Sequence, residues 1–234
     1  MKLIYLEKIN STNTYAKEHI NEFEDKTVIY THNQTNGRGR FDRKWVDLGS
    51  ENIFMSIVLK PSTTLQKVYS NLTQYTSLAL AKTFDSYGVI PKIKWPNDIL
   101  INGKKISGIL AETVFKNNAL QGIVIGVGIN LNANEKDFKK IDKAVTSLNL
   151  ELKKNIDKKE FLNKFLEKFF NSYDEFLHRG FQFIKEDYIN HIDFLGKEIS
   201  ITNLEKTYTG IAKNITDDGA IIINNKEFYT GDIL

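Results

Sequence analysis

The run of apolar and polar positions divides the chain into short strands and a few amphipathic helices. Lys2–Ile9 predicts a strand, and Ser11 then stands where a helix N-cap belongs, ahead of the apolar-periodic stretch Thr14–Phe23. Thr27–His32 and Asn52–Leu59 are rich in β-branched and apolar residues and predict strands. Between them Gln34–Ser50 shows no period and predicts a long loop; at ~17 residues, such a loop inside a compact domain is commonly functional or disordered. Apolar spacing at Leu65, Val68, Leu72, Tyr75, Leu78 and Ala79 predicts a helix over 65–87 that stops at Gly88. Lys92–Trp95, Ile99–Ile101, Lys105–Phe115 and Leu120–Ile129 predict a mostly antiparallel meander, with turns at Asn102-Gly103 and Asn117-Asn118. Asp157 and Glu160 make a capping box for a helix carrying Phe161, Phe165, Phe169, Tyr173, Phe176 and Leu177, closed by Gly180. At helical spacing that aromatic stripe is core rather than a ligand pocket.

After His191 the texture changes to short strands with turn signals at Asn203, Asp218-Gly219 and Asn224-Asn225, the pattern of a small SH3-like barrel. The expected fold is therefore α+β: a mixed, mostly antiparallel sheet flanked by helices over residues 1–190, and a small SH3-like β-barrel over 191–234.

Composition narrows the chemistry. The chain has 234 residues and no cysteine, which excludes thiol nucleophiles, zinc ribbons and a disulfide scaffold and fits a reducing compartment. No apolar run approaches the ~20 residues of a membrane span, and Glu7 comes too early for a signal peptide. The cytoplasm is the expected location. Lysine outnumbers arginine seven to one, yet three of the four arginines fall between residues 38 and 43. The segment Gln34–Trp45 carries a net charge of +3, equal to that of the whole chain, so the rest is balanced. That describes a local anion site, not the broad basic face of a nucleic-acid binder.

Four motifs could carry chemistry. In Gln34-Thr-Asn-Gly-Arg-Gly-Arg40, Gly37 and Gly39 allow close backbone approach, and Arg38 and Arg40 offer planar forks for a carboxylate or phosphate. A solvated Arg-Gly loop or a nucleic-acid contact is the plainer alternative. In Lys94-Trp-Pro-Asn-Asp98, Pro96 stiffens the backbone so that Asn97 and Asp98 can be aimed, although Pro-Asn-Asp is also ordinary turn chemistry. In Lys104-Lys-Ile-Ser-Gly108, one lysine can reach inward, and Gly108 inside a strand marks a close approach. Gly126-Val-Gly-Ile-Asn130 lacks the third glycine of a dinucleotide fingerprint, and no Gly-x4-Gly-Lys-Ser/Thr loop occurs. The four histidines show no metal-ligand spacing, and there is no Gly-x-Ser-x-Gly elbow.

Taken in order, Ser11-Thr-Asn13, Gln34 with Gly-Arg-Gly-Arg40 and Trp45, Lys94-Trp-Pro-Asn-Asp98, Lys105-Ile-Ser-Gly108, Glu112 and Gly126-Val-Gly-Ile-Asn130 resemble the biotin–protein ligases across most of residues 3–132. The resemblance implies the catalytic fold shared with class II aminoacyl-tRNA synthetases. It also implies a two-step reaction: biotin and ATP give biotinyl-5′-AMP, and biotin then passes to a lysine of a biotin carboxyl carrier protein such as that of acetyl-CoA carboxylase. ATP and biotin are then substrates and Mg²⁺ the helper ion, with no protein metal site.

By the same resemblance Ser11, Thr12, Asn13 and Gln34 meet biotin's ureido head, and Gly37, Arg38 and Gly39 belong to the loop that orders over it. Arg40 and Lys105 grip the biotin carboxylate and the α-phosphate, and Gly108, Gly126 and Gly128 line the biotin slot. Arg43, Trp45, Asn97 and Asn130 join Arg40 and Lys105 around ATP, Trp45 against adenine. Asp98 orients or deprotonates the incoming lysine. The catalytic set is Arg40, Lys105 and Asp98.

Two departures stand out. Asp42 occupies the place of a glycine usual in the family's loop, which adds a negative charge near the phosphate site and predicts a moderate effect at most. The first strand starts at Lys2, leaving no room for the helix-turn-helix of some relatives, so no sequence-specific DNA binding is expected; the resemblance admits both monomer and homodimer. The competing readings are a lipoate or octanoate–protein ligase of the same fold and a non-catalytic RNA-binding module, which would need aromatic–basic interleaving on the barrel.

Overall fold

The computed structural model describes residues 1–41, 43–46, 48–49, 51–61, 69–203 and 206–234. Contacts divide the chain into two units, one of Met1–Thr64 with Gly103–Asn163 and one of Leu65–Asn102 with Lys164–Leu234. The architecture is α+β, built on a mostly antiparallel sheet with flanking helices.

In the first unit five strands lie in the order β1 (Lys2–Tyr5), β2 (Thr27–Thr31), β5 (Ile53–Leu59), β9 (Ala119–Ile129) and β8 (Lys104–Lys116). Only β1 and β2 run parallel; the others pair antiparallel. Ser11 caps helix α1 (Thr12–Glu18) and its side chain accepts the Thr14 N–H, as the sequence implies. The helix ends earlier than Phe23, because Ile20 and Phe23 reach the core from turns after it and so prolong the apolar period past the last helical residue. Ala16 and Ile20 pack on Ile29, Val58 and Val124, which bury one end of the sheet face.

The segment 34–50 departs from the expected structureless loop. Its described residues include a hairpin of β3 (Gly37–Arg38) and β4 (Lys44–Trp45), pairing Gly37 with Trp45 and Arg38 with Lys44. Strands of two residues leave no periodicity to detect. The tip is closed by Gly39 N–H donating to Arg43 O at 2.7 Å, with Phe41 at φ 53°.

The second unit contains the hairpin β6 (Pro91–Lys94) and β7 (Asp98–Ile101), and helix α2 (Leu72–Asp85). Residues 65–68 of the longer helix expected there lie outside the described ones. A short helix of the first unit, α3 (Leu148–Leu152), precedes α4 (Lys158–Asn171), which begins in the first unit and ends in the second, and Glu160 N–H donates to Asp157 Oδ1 at 2.8 Å as the capping pattern requires. The single helix expected over the aromatic stripe is two, α4 and α5 (Tyr173–Arg179), separated at Ser172. Phe161, Phe165, Phe169, Tyr173 and Phe176 are nevertheless all buried. Helix α6 (Lys185–Asn190) leads to a five-stranded antiparallel sheet ordered β13, β12, β11, β10, β14: Lys226–Phe228, Ile221–Ile223, Lys206–Ile215, Glu198–Asn203 and Asp232–Ile233. Its turn at Asp218–Gly219 is held by α2, where Asn71 and Gln74 side-chain amides donate to the two carbonyls, each at 2.9 Å.

Candidate active site

Strand register decides what the first unit presents. Val58 pairs with Val124, which pairs with Glu112; Ser56 with Gly126, then Leu110; Phe54 with Gly128, then Gly108. Because alternate residues share a face, all of these look out on the side that α1 covers. The valines fill the end beneath the helix. Beyond it three positions lack any side chain, leaving a glycine floor at Gly108, Gly126 and Gly128.

Each of these glycines is needed for a close approach. A Cβ at Gly126 would stand 2.3 Å from Asn13 Oδ1, and at Gly128 2.7 Å from the Trp45 indole. At Gly108 it would meet the same indole at 2.7 Å and Lys105 Nζ at 3.1 Å. Trp45 thus lies across Gly108 and Gly128 as a lid, and Lys105 Nζ sits 5.3 Å from the Trp45 ring centroid, within cation–π range.

A polar network closes the α1 end of the floor. Gln34 is brought beside the helix start because Ile9 bridges to it in parallel and Thr35 N–H donates to Ile9 O at 2.9 Å. Its Oε1 accepts the Thr12 N–H at 2.9 Å, a donor that the first helical turn leaves unsatisfied. Ser56 Oγ lies 2.8 Å from Thr12 Oγ1 and 2.6 Å from Asn13 Oδ1. Asn13 spends both amide hydrogens on the protein, one on Leu110 O at 3.2 Å and one on Glu112 Oε2 at 2.9 Å. Ser11, Thr12, Asn13, Gln34 and Ser56 are all buried, so this end is fixed before any ligand arrives.

Glu112 gathers charge at the same place. Its Oε1 accepts from Lys17 Nζ at 2.7 Å and from an Arg38 guanidinium nitrogen at 3.2 Å. Burial alone would push its carboxyl up. The Lys17 and Asn13 hydrogen bonds and the Lys17 and Arg38 charges outweigh that and hold it below the usual carboxylate range.

The opposite end is cationic. Lys105 is half-buried while Lys104 is exposed, so Lys105 is the inward lysine. Its backbone is gripped by 144–146, its N–H donating to Ala144 O and its carbonyl accepting from Thr146 N–H, both at 2.9 Å. Asn130 donates its amide to Thr146 O at 3.1 Å, while its buried Oδ1 has no hydrogen-bond partner among the described residues. Gly37 packs where a Cβ would be 2.7 Å from both Gln34 Nε2 and Trp45 O. At the hairpin tip the Arg40 and Arg43 guanidinium carbons stand 5.0 and 5.8 Å from the Phe41 ring centroid.

The first unit therefore assembles Ser11, Thr12, Asn13, Gln34, Arg38, Trp45, Lys105, Asn130 and the glycines around one sheet face. Asn97 and Asp98 belong to the second unit, at the turn between β6 and β7 where Asn97 N–H donates to Lys94 O at 3.2 Å. Asp42, the departure noted in the loop, lies outside the described residues. Sequence reasoning passed over Ser56, Lys17 and the role of Glu112. Ser56 had a signal: it is the one polar residue in the apolar run Ile53–Leu59, and it is fully buried. Glu112 looks like any surface charge in a half-exposed strand until its partners are known.

Residues 5–130 match the model of the biotin/lipoate A/B protein ligase family. The bifunctional ligase/repressor of Bacillus spizizenii is 33% identical over 238 residues, covering 99% of this chain and 73% of that protein. The biotin–[acetyl-CoA-carboxylase] ligase of Paracoccus denitrificans is 28% identical, covering 93% of this chain and 92% of that one. The solved biotin protein ligase of Aquifex aeolicus, in complex with biotin and ATP, superposes with a TM-score of 0.86 at 26% identity, covering all of this chain and 97% of its own. A glycine-floored slot, polar at one end and cationic at the other, on a fold shared with these enzymes, places the chain in the biotin/lipoate A/B protein ligase family.

Proposed function

We propose that this protein is a biotin–protein ligase that forms biotinyl-5′-AMP from biotin and ATP and transfers the biotinyl group to a lysine of the carrier domain of acetyl-CoA carboxylase. The observation that carries it is the bare floor of Gly108, Gly126 and Gly128 between a pre-formed polar network and Lys105. A flat bicyclic ligand with a polar head and a carboxylate tail suits that surface, head toward Thr12, Gln34 and Ser56, tail toward Lys105. A ligand on Gly108 and Gly128 must lift the Trp45 indole, which then covers it or the adenine beyond. The Paracoccus denitrificans and Aquifex aeolicus proteins are named as biotin ligases, which favours biotin over lipoate or octanoate.

In the first step a biotin carboxylate oxygen attacks the α-phosphorus, forming the mixed anhydride as the bond to pyrophosphate breaks. Negative charge gathers at one centre, and the fixed cations Lys105 and Arg40 stabilise it, with Arg43 and Asn130 on the nucleotide side. Binding both reactants in line supplies much of the remaining acceleration. In the second step the carrier lysine's neutral ε-amine attacks the acyl carbon, the amide forms as the bond to AMP breaks, and the amine's proton passes to solvent.

Mg²⁺ prefers hard oxygen ligands and keeps several waters, so it travels with the phosphates. Asn130 Oδ1, a buried oxygen without a hydrogen-bond partner, fits that ion, and no cluster of three acidic or histidine ligands stands among the described residues. When bound, the ion neutralises charge developing on the phosphates. Among the described residues no helix is long and apolar enough to cross a membrane; we place the protein in the cytoplasm. We further assign residues 1–190 to catalysis and 191–234 to holding ATP and the carrier.

The test is incubation with biotin, MgATP and a carrier domain, read by intact mass. One biotinyl group should appear on one carrier lysine and be lost with Lys105→Ala. No transfer, together with no biotinyl-adenylate on the enzyme, would refute the reading.

A further inference from the structure

Through the charged side chain of Glu112 three separate elements of the first unit meet. It projects from β8 on the glycine-floored face, two and four residues beyond Leu110 and Gly108. One carboxylate oxygen holds Asn13 of α1; the other is shared by Lys17 of α1 and Arg38 of the β3–β4 hairpin. Its side chain is only 17% exposed, whereas Arg38 is 41% exposed. Lys17 already neutralises the carboxylate at the shorter distance, so Arg38 is the second cation on one acceptor and the weaker, more hydrated arm. That asymmetry suits a reversible contact: the helix arm is built in, and the hairpin arm can open and close.

Resting on the biotin-ligase reading, we propose that Glu112 is a positioning residue that ties Arg38, and with it the hairpin bearing Trp45, down over the slot, and so governs how long the acyl-adenylate is retained. The hairpin is joined to the slot by Trp45 across the glycines at one strand and by Arg38 to Glu112 at the other. Releasing Arg38 frees one attachment of the hairpin while leaving Gly37, Trp45, Lys105 and the glycine floor in place. The loss therefore falls on dissociation, where most differences between related complexes reside.

The experiment loads the full-length protein with labelled biotin and MgATP, isolates the enzyme-bound biotinyl-adenylate, and follows its release in a chase. Glu112→Gln should accelerate release about threefold to fivefold, the upper part of the range expected for a partly exposed ion pair, with adenylate formation at saturating substrate within about twofold of wild type. In an Arg38→Ala background the same substitution should add less than about twofold. Lys17→Met removes the helix arm alone, and should lower the melting temperature yet leave release within about twofold of wild type. Unchanged release in Glu112→Gln, full multiplication of the Glu112 and Arg38 effects, or equal acceleration by Lys17→Met would each overturn the proposal. A wild-type protein that forms no biotinyl-adenylate would overturn the ligase reading beneath it.

Discussion

The two ends of one sheet face have been put to opposite uses. Under α1, Ile29, Val58 and Val124 present branched side chains that interlock with Ala16 and Ile20 and leave no room for anything else. A few residues along the same strands, at Gly108, Gly126 and Gly128, the face is bare backbone approached by Asn13, Trp45 and Lys105. Backbone pairing is continuous through both ends, with β5 and β9 in register from Ile53 to Leu59. Side-chain volume alone separates a core from a slot. The helix also serves both, since its body packs on the valines while its first turn supplies Thr12 and Asn13 to the polar network.

Substitutions should separate the two ends cleanly. Ile29→Ala at the packed end removes a fully buried side chain and should cost about 2–5 kcal/mol of stability. Biotin affinity measured on the folded fraction should stay within about twofold. Gly126→Ala lies at the junction, where its new methyl would collide with Asn13. It should cost about 1–3 kcal/mol by overpacking and lower biotin affinity by at least about tenfold, both read from melting curves with and without biotin. At Gly108→Ala the nearest atoms are those of the Trp45 ring and the end of Lys105, which can give way, so stability should change by less than about 1 kcal/mol while ligation falls about tenfold.

The smallest effect is electrostatic. Glu112 has a lowered pKa, so the unfolded chain binds its proton more readily than the folded one. The stability it contributes is complete above the ordinary carboxylate range and is lost as pH falls through its depressed value. Glu112→Gln should therefore melt lower than wild type at neutral pH, and the difference should shrink in acid. A gap that stays constant with pH would remove the charge from this explanation.

What the sequence showed and hid follows from the same contrast. The glycines of the slot were legible because they interrupt mostly apolar stretches of strand, and the two Asn-containing turns of the meander fell where expected, with Asn102 at φ 50° and Asn117 at φ 51°. Helix ends were not legible, since Ile20 and Phe23 continue the apolar period from turns. The β3–β4 hairpin was invisible because its strands are two residues long and it is held by tertiary contacts of Gly37, Arg38 and Trp45. Ser56 could have been found as a buried hydroxyl in an apolar strand. The partnership of Glu112 with Lys17 and Arg38, 95 and 74 residues away in sequence, required the fold.

The slot itself is tested most directly by calorimetric titration of biotin into Gly128→Val. Valine suits a strand and here would press on the Trp45 indole, which can yield, so the variant should fold with a melting temperature near that of wild type. Biotin binding should nevertheless fall at least a hundredfold, because the added side chain fills the floor on which the ligand lies. A folded Gly128→Val that binds biotin within about twofold of wild type would show that the ligand lies elsewhere and that the bare face is not the active site.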